Sequence, residues 1–282
     1  MSERPTAPTI TAPPIPKGTR SPRATVPDLV ALDFGSGVTT GSDRIVIYGT
    51  GGIGKSTLAA FLPAPYFLDV ESSTKKLDVS FDRELRAAPS WPMLRGKLAT
   101  LAKSPPKGLR SVVVDTATVA EALAEEHVIA TRPTEKGRMV DSIEGYGWGK
   151  GRQYVFEEFG ALLADLDRVN NAGLNVCLIA HDVSTEFPNP AGPDYIRWEP
   201  FLYHGDKRGR SSIRNAVKNW ADHVIFVGYD VSVEEGKGLG SGTRTLYTKE
   251  LGTHVAKSRS AELAMPFNLQ DPGALWRELG IS

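Results

Sequence analysis

The stretch "RIVIYGTGGIGKSTLAAF", Arg44 to Phe61, decides how the rest of the chain is read. A short β-rich run leads into four glycines, then a lysine and two hydroxyls, then apolar residues at helical spacing. Gly49-Thr50-Gly51-Gly52-Ile53-Gly54-Lys55-Ser56 fits G-x-x-x-x-G-K-[ST], which average residue usage produces by chance in about one chain in a hundred of this length. The strand before it and the helix pattern inside it make chance a poorer account still. Glycines let the backbone curl so that successive N–H groups point at phosphate oxygens, and the start of the helix adds its positive dipole end. Gly49, Thr50, Gly51, Gly52, Ile53, Gly54, Lys55, Ser56 and Thr57 are therefore the expected contacts of a nucleotide, with ATP and Mg²⁺ as the ligands. Lys55 is placed to reach the β- and γ-phosphates, and Ser56 to ligate the metal. A plain glycine turn opening a helix would not need the lysine and the hydroxyl at that spacing.

Working outward, "PYFLDV", "SVVVD", "NVCLIA" and "HVIFVGY" read as further buried strands. Between them "KSTLAAFL", "WPMLRGKLATLAK", "TVAEALAEEHVIA" and "YVFEEFGALLADLDRVNNAG" carry helical spacing. Strand and helix in alternation imply right-handed crossovers and a mostly parallel, twisted α/β sheet with helices on both faces. After Tyr229 the runs "RTLYTKE" and "THVAKS" are short and closely spaced, as in an antiparallel C-terminal extension. Two stretches, about Thr131 to Gly151 and Val183 to Ser212, read as long loops, which in compact domains are usually functional or disordered.

The whole chain bounds these readings. Its 282 residues, 40% hydrophobic, can bury a substantial core, and residues 29–282 are expected to form a single domain. Residues 1–28, rich in Pro, Thr and Ser, are expected to be a mobile arm. Lys plus Arg equals Asp plus Glu at 33 each, so any attraction for a polyanion must be local. The one cysteine, Cys177, sits in an apolar run and reads as a buried hydrophobe; with no membrane-length apolar span and no leader, a cytoplasmic protein is expected.

Carboxylates follow two of the strands. Asp115 closes "SVVVD" and is the choice for the acid that holds Mg²⁺ through water beside Ser56. Glu71 follows "YFLDV", where a group that orients water toward a γ-phosphate is chemically apt, although Asp69 and Glu71 also fit a solvated strand end. In "YFLDVES" the chain resembles the RecA family, whose second core strand ends in an "F-x-D-x-E" segment carrying the water-activating glutamate. "NVCLIAHD" is similar to the strand that ends in that family's γ-phosphate sensor, with His181 where Asn or Gln is usual; a satisfied core histidine is the rival reading. "HVAKSRSAELAMPF" resembles the segment "K-x-K" followed by "P-F", so the resemblance makes Lys257 and Arg259 cations that reach a neighbouring subunit's ATP, against a rival reading of ordinary surface charge.

With "GYGWGKGRQY" and "LIAH" added, the chain looks most like phage-encoded RecA-like ATPases of the Sak-four kind, single-strand annealing proteins grouped under a phage AAA-type ATP-binding heading. The resemblance covers about Ile45 to Gln270 and implies a RecA-like P-loop NTPase core, self-association into a ring or filament, single-stranded DNA in its axis, and a host-cytoplasmic setting; a single-strand-binding protein is a further possible partner. It also implies that DNA is gripped by the two long loops. The first carries Arg132, Lys136, Arg138, Trp148, Lys150 and Arg152, and the second Lys207, Arg208, Arg210 and Arg214: cations for phosphates, rings for bases. Two alternatives share the phosphate cradle: a small-molecule phosphotransferase, and a nucleotide-gated helicase loader or scaffold with little turnover.

Overall fold

The computed structural model describes residues 41–190, 192–206, 208–234, 237–268 and 270–281, so the stretch expected as an arm, and Lys207, lie outside the described residues. In chain order the elements begin with β1 (Arg44–Gly49), α1 (Lys55–Ala60), β2 (Pro65–Asp69), β3 (Ser80–Phe81), α2 (Arg83–Ala87) and α3 (Trp91–Lys103). Next come β4 (Ser111–Asp115), α4 (Ala117–Thr131), a 3₁₀ turn (Ile143–Tyr146), α5 (Lys150–Asn171) and β5 (Asn175–Ala180). The chain closes with β6 (Asp182–Phe187), β7 (Tyr195–Pro200), α6 (Ile213–Trp220), β8 (His223–Glu234), β9 (Lys237–Tyr247), β10 (Ala264–Pro266) and α7 (Ala274–Glu278).

The apolar β-branched runs lie in the middle of an eight-stranded sheet in the order β10-β9-β8-β1-β5-β4-β2-β3. From β8 to β3 the pairs are parallel, while β9 and β10 are antiparallel, as the shortened spacing after Tyr229 predicts. Alternation along β1 divides the core. Ile45 and Ile47 face α1 and α7 with Leu58, Leu275 and Trp276, and Val46 and Tyr48 face the helices of the other layer with Leu94, Ala120 and Leu166. Cys177 is fully buried among the first set. Among the described residues, no helix is long and apolar enough to cross a membrane.

Register aligns the strand ends. Tyr48 is level with Ala180, Ile179 with Asp115, and Asp115 with Asp69, so Gly49, His181, Asp115 and Glu71 emerge along one edge of the sheet. The close approach of β1 to β8 there requires glycine: a Cβ on Gly49 would lie 2.3 Å from the Val227 carbonyl oxygen.

Both expected long loops are more ordered than the sequence suggests. The second contains the β6/β7 hairpin, in which "DVSTEF" and "YIRWEP" pair antiparallel around a Pro- and Gly-rich turn. Its alternating pattern is masked by charged residues turned inward: Arg197 and Glu199 are buried partners 2.6 Å apart. In the first, α5 starts at Lys150, earlier than the apolar spacing predicts, because Gly149 in the left-handed region opens it. Gly151 is needed in its first turn, where a Cβ would meet the Ile143 carbonyl oxygen at 2.2 Å.

On α4, Glu121 is buried and its carboxylate accepts the Tyr203 backbone N–H at 3.0 Å. Burial first, and the nearby Glu125 charge next, push its carboxyl up to about 7 against that hydrogen bond. A raised folded-state value means the protonated form is the favoured one, so its contribution is complete below about 4.5 and is lost as pH rises through about 7. At about 1.4 kcal/mol per unit this amounts to roughly 3 kcal/mol. Urea unfolding of Glu121→Gln is expected to show a stability gain over the wild type that grows from pH 5 to pH 8; parallel pH profiles for the two proteins would contradict this.

Candidate nucleotide and metal site

The loop between β1 and α1 turns as its glycines dictate. Gly52 and Gly54 have φ of 75° and 108°, in the left-handed region, and Gly54 opens α1. Lys55 is buried, and its ammonium donates to the carbonyls of Gly49 at 2.7 Å and Thr50 at 2.9 Å. Burial pulls its pKa down, while Asp182, Asp115 and Glu71 oppose the shift. These two bonds fix the cation at the floor of the loop, where an arriving polyphosphate offers better acceptors than two carbonyls.

Beside it, Ser56 donates its hydroxyl to Asp115 Oδ2 at 2.7 Å, so the pair expected to hold a metal is in contact. Ser73, which the sequence reading did not single out, donates to the same oxygen at 2.6 Å. Its only signal was a hydroxyl two residues beyond Glu71. The other oxygen, Asp115 Oδ1, is buried and has no hydrogen-bond partner. Burial above all pushes the Asp115 carboxyl up, the two hydroxyls pull against this, and Asp69 and Glu71 add repulsion. A buried carboxylate oxygen lacking a donor, beside a hydroxyl, is a hard oxygen set that fits Mg²⁺. Among the described residues, no cluster of three or more His, Cys, Asp or Glu side chains is built to hold a metal by itself.

Asp69 and Glu71, both of which also fitted a solvated strand end, lie in different surroundings. Asp69 is fully buried and accepts from Ser73 N, Thr74 N and Thr74 Oγ1, with Arg86 ion-paired to it at 3.0 Å, so it shapes the turn after β2. Glu71 is half-exposed and meets His181 Nε2 at 3.1 Å. His181 is therefore not a sealed core histidine. Its backbone N–H donates to Thr118 Oγ1 at 3.1 Å, its carbonyl accepts from Phe201 N–H at 2.8 Å, and Thr118 in turn donates to the Phe201 carbonyl at 3.2 Å. Glu71, Ser73, Lys76, Asp115 and His181 line one cleft of about 340 Å³ with the glycine loop.

The other expected residues fall elsewhere. Lys257 bridges to Val224 near the start of β8, and its ammonium is directed at the carbonyls of Lys218, Asn219 and Ala221 that end α6. Arg259 is exposed and paired with Asp222 at 3.0 Å, so the two cations have separate partners. On the first loop, Lys136 and Arg138 are exposed, and Trp148 is fully exposed with φ 50° between Gly147 and Gly149, which are also left-handed. Arg132 instead pairs with Glu157 and Glu158, Lys150 with Glu135, and Arg152 with Glu125. On the second, Arg208 is exposed, Arg210 pairs with Asp206 at 2.8 Å, and Arg214 is buried against Glu199. A guanidinium so enclosed braces the hairpin and is not a surface contact for a polyanion.

A strand, a glycine loop and a helix bearing Lys55 and Ser56, with Asp115 two strands away on the sheet and in contact with Ser56, define a P-loop nucleotide-binding protein. More narrowly, the chain belongs to the AAA domain family AAA_24, whose model matches residues 42–260. It is thus an AAA-type P-loop ATPase domain, a class that implies a bound nucleotide and usually Mg²⁺. No curated protein matches the sequence. Among solved structures it is similar to a KaiC-like protein from the hyperthermophilic archaeon Pyrococcus horikoshii OT3, at 13% identity and a TM-score of 0.43, over 83% of this chain and 88% of that one.

Because the Asp115 carboxyl is held up by burial, its charge is costly without a cation, and an amide of the same shape removes that charge. Asp115→Asn is expected to melt no lower than the wild type in metal-free buffer at pH 7.5, yet to lose at least tenfold of the tightening that Mg²⁺ gives to nucleotide binding in titration calorimetry. Full retention of that tightening would remove Asp115 from the metal site.

Proposed function

We propose that the protein is a RecA-like ATPase that binds single-stranded DNA and promotes annealing or strand exchange, in the manner of phage recombination proteins, assembling on the strand as a ring or filament. The observation that carries this reading is the continuous link from the cleft to a surface hairpin. Glu71 touches His181, and His181 is followed at once by β6, so the cleft and the β6/β7 hairpin share one stretch of backbone. Around that hairpin Ile196, Trp198 and Phe201 are exposed, rings and apolar surface of the kind that take unpaired bases.

In the cleft, Glu71 orients a water and accepts its proton as the water oxygen bonds to the terminal phosphorus and the bond to the leaving ADP oxygen breaks. Lys55 balances charge on the phosphates, and the backbone N–H groups of Gly51 to Thr57 hold them. Mg²⁺ held by Ser56 and Asp115 would supply further charge neutralisation. The His181 ring fixes where the Glu71 carboxylate points, so a change of contact at Glu71 is felt at the root of the hairpin. Loss of the terminal phosphate then alters the grip on DNA.

On the surface, Lys136 and Arg138 with Trp148 form the best-placed set for a strand, joined by Arg208 and Arg210 of the second loop. Arg132, Lys150 and Arg152 contribute only by exchanging carboxylate partners, and Arg214 is withdrawn from the set. For ATP shared between subunits, Arg259 is the more available cation, since Lys257 is occupied in capping α6.

Steady-state hydrolysis separates this reading from its rivals. Single-stranded DNA is expected to stimulate ATP turnover and nucleosides are not, and Glu71→Gln is expected to bind ATP while turning it over at least a hundredfold more slowly. Wild-type turnover by that variant would sink the water-orienting role. For the loops, replacing Lys207, Arg208 and Arg210 together by alanine is expected to weaken single-strand binding and flatten its salt dependence, by up to about 0.7 in log–log slope for each phosphate no longer neutralised; an unchanged slope and affinity would exclude that loop.

A further inference from the structure

The groups assigned to the terminal phosphate and metal all lie on one flank of the P-loop. In the sheet order β8-β1-β5-β4-β2, the residues Asp115, His181 and Glu71 follow β4, β5 and β2, on one side of β1. The rest of a nucleotide must then run across the loop toward the other side, where β8 and β9 lie. That side carries a pair of residues to which neither sequence nor family gives a role.

Alternation places them on the right face. Ile225 and Val227 of β8 are buried against Ile47 and Leu58, so Tyr229, two residues beyond the level of Gly49, points to the same α1-bearing face. On β9, Leu246 belongs to the same cluster, and Arg244, two residues before it, shares its face. Tyr229 and Arg244 are directly paired across the two strands, and the Arg244 guanidinium carbon lies 5.8 Å from the Tyr229 ring centre. Their approach to the P-loop is tight. A Cβ on Gly54 would lie 3.2 Å from Arg244 Nη1 and 2.8 Å from the ring of Phe267, whose backbone N–H donates to the Arg244 carbonyl at 2.7 Å. Phe267 is buried, which holds β9 against the loop, while Tyr229 leaves 43% of its surface exposed. Among the described residues, Arg244 is ion-paired to no carboxylate.

We propose that Tyr229 and Arg244 form the shelf on which the base of the bound nucleotide rests, contributed by the same chain that holds its phosphates. The inference builds on the nucleotide reading of the P-loop and adds what recognises the other end of the ligand. A planar, electron-rich base laid across the exposed phenol ring and the neighbouring guanidinium gains stacking from one and cation–π attraction from the other. Gly54 is then constrained twice, by the turn it makes and by the shelf that closes on it.

The test compares ATP with inorganic triphosphate, which has the phosphates and no base. Affinities of both for the full-length chain in Mg²⁺ buffer are measured for wild type, Tyr229→Ala, Tyr229→Phe and Arg244→Ala, with melting temperatures as a check on folding. The expected result is an ATP affinity reduced about five- to a hundredfold in Tyr229→Ala, and in the same direction in Arg244→Ala, with triphosphate unchanged and Tyr229→Phe like the wild type. Unchanged ATP affinity in both alanine variants overturns the shelf. So does an equal loss for ATP and triphosphate, which would make the pair a support for the loop or its phosphates. A wild-type chain that binds neither ligand overturns the nucleotide reading itself.

Discussion

The Asp115 carboxylate is the constraint around which the site is organised. It is buried at the edge of the sheet with one oxygen shared by Ser56 and Ser73 and the other without a donor, an arrangement that costs stability in the absence of a bound cation. Holding it requires β4 to end level with β5 and β2, which the parallel register provides. Once those strands end together, Glu71, His181 and the P-loop converge on the same cleft without any further device. Asp69 completes the arrangement from below, pinning through its buried hydrogen bonds the turn that carries both Ser73 and Glu71.

The same edge explains why the cleft and the outer surface are joined. His181 has one contact to Glu71 through its ring and two to Thr118 and Phe201 through its backbone, and the β6/β7 hairpin begins at the next residue. The hairpin is stiff. Glu199 is held between Arg197, Arg214 and Lys218, and Arg197 covers the Phe187 ring at 3.7 Å. These cations keep the Glu199 carboxyl below its ordinary value in spite of burial. The hairpin springs directly from the residue that contacts Glu71 in the cleft.

Much of the site was legible in the sequence because its chemistry is local. Gly49 to Thr57 and the apolar runs that end at Asp115 and Glu71 each state their purpose within a few residues, since a phosphate cradle needs consecutive N–H groups and a buried strand needs consecutive apolar side chains. Less legible were Ser73, Thr118 and the Tyr229–Arg244 pair, whose partners lie far away in the chain and whose residue types are common on any surface. The surroundings of the cations were hidden for the same reason. Arg214, Arg152 and Lys257 look alike along the chain, and only the folded protein shows that a carboxylate or a helix end already holds each of them.

By itself, then, the sequence determined the alternation of strand and helix, the parallel core and the phosphate-binding loop, because periodicity and glycine chemistry act over short distances. Tertiary structure decided which oxygen of Asp115 is left without a donor, that Glu71 meets His181, which basic side chains are not held by a carboxylate or a helix end, and that β9 brings Arg244 against Gly54. Those outcomes depend on which residues distant in the chain meet at one sheet edge, and pairing across strands settles that only when the whole sheet has formed.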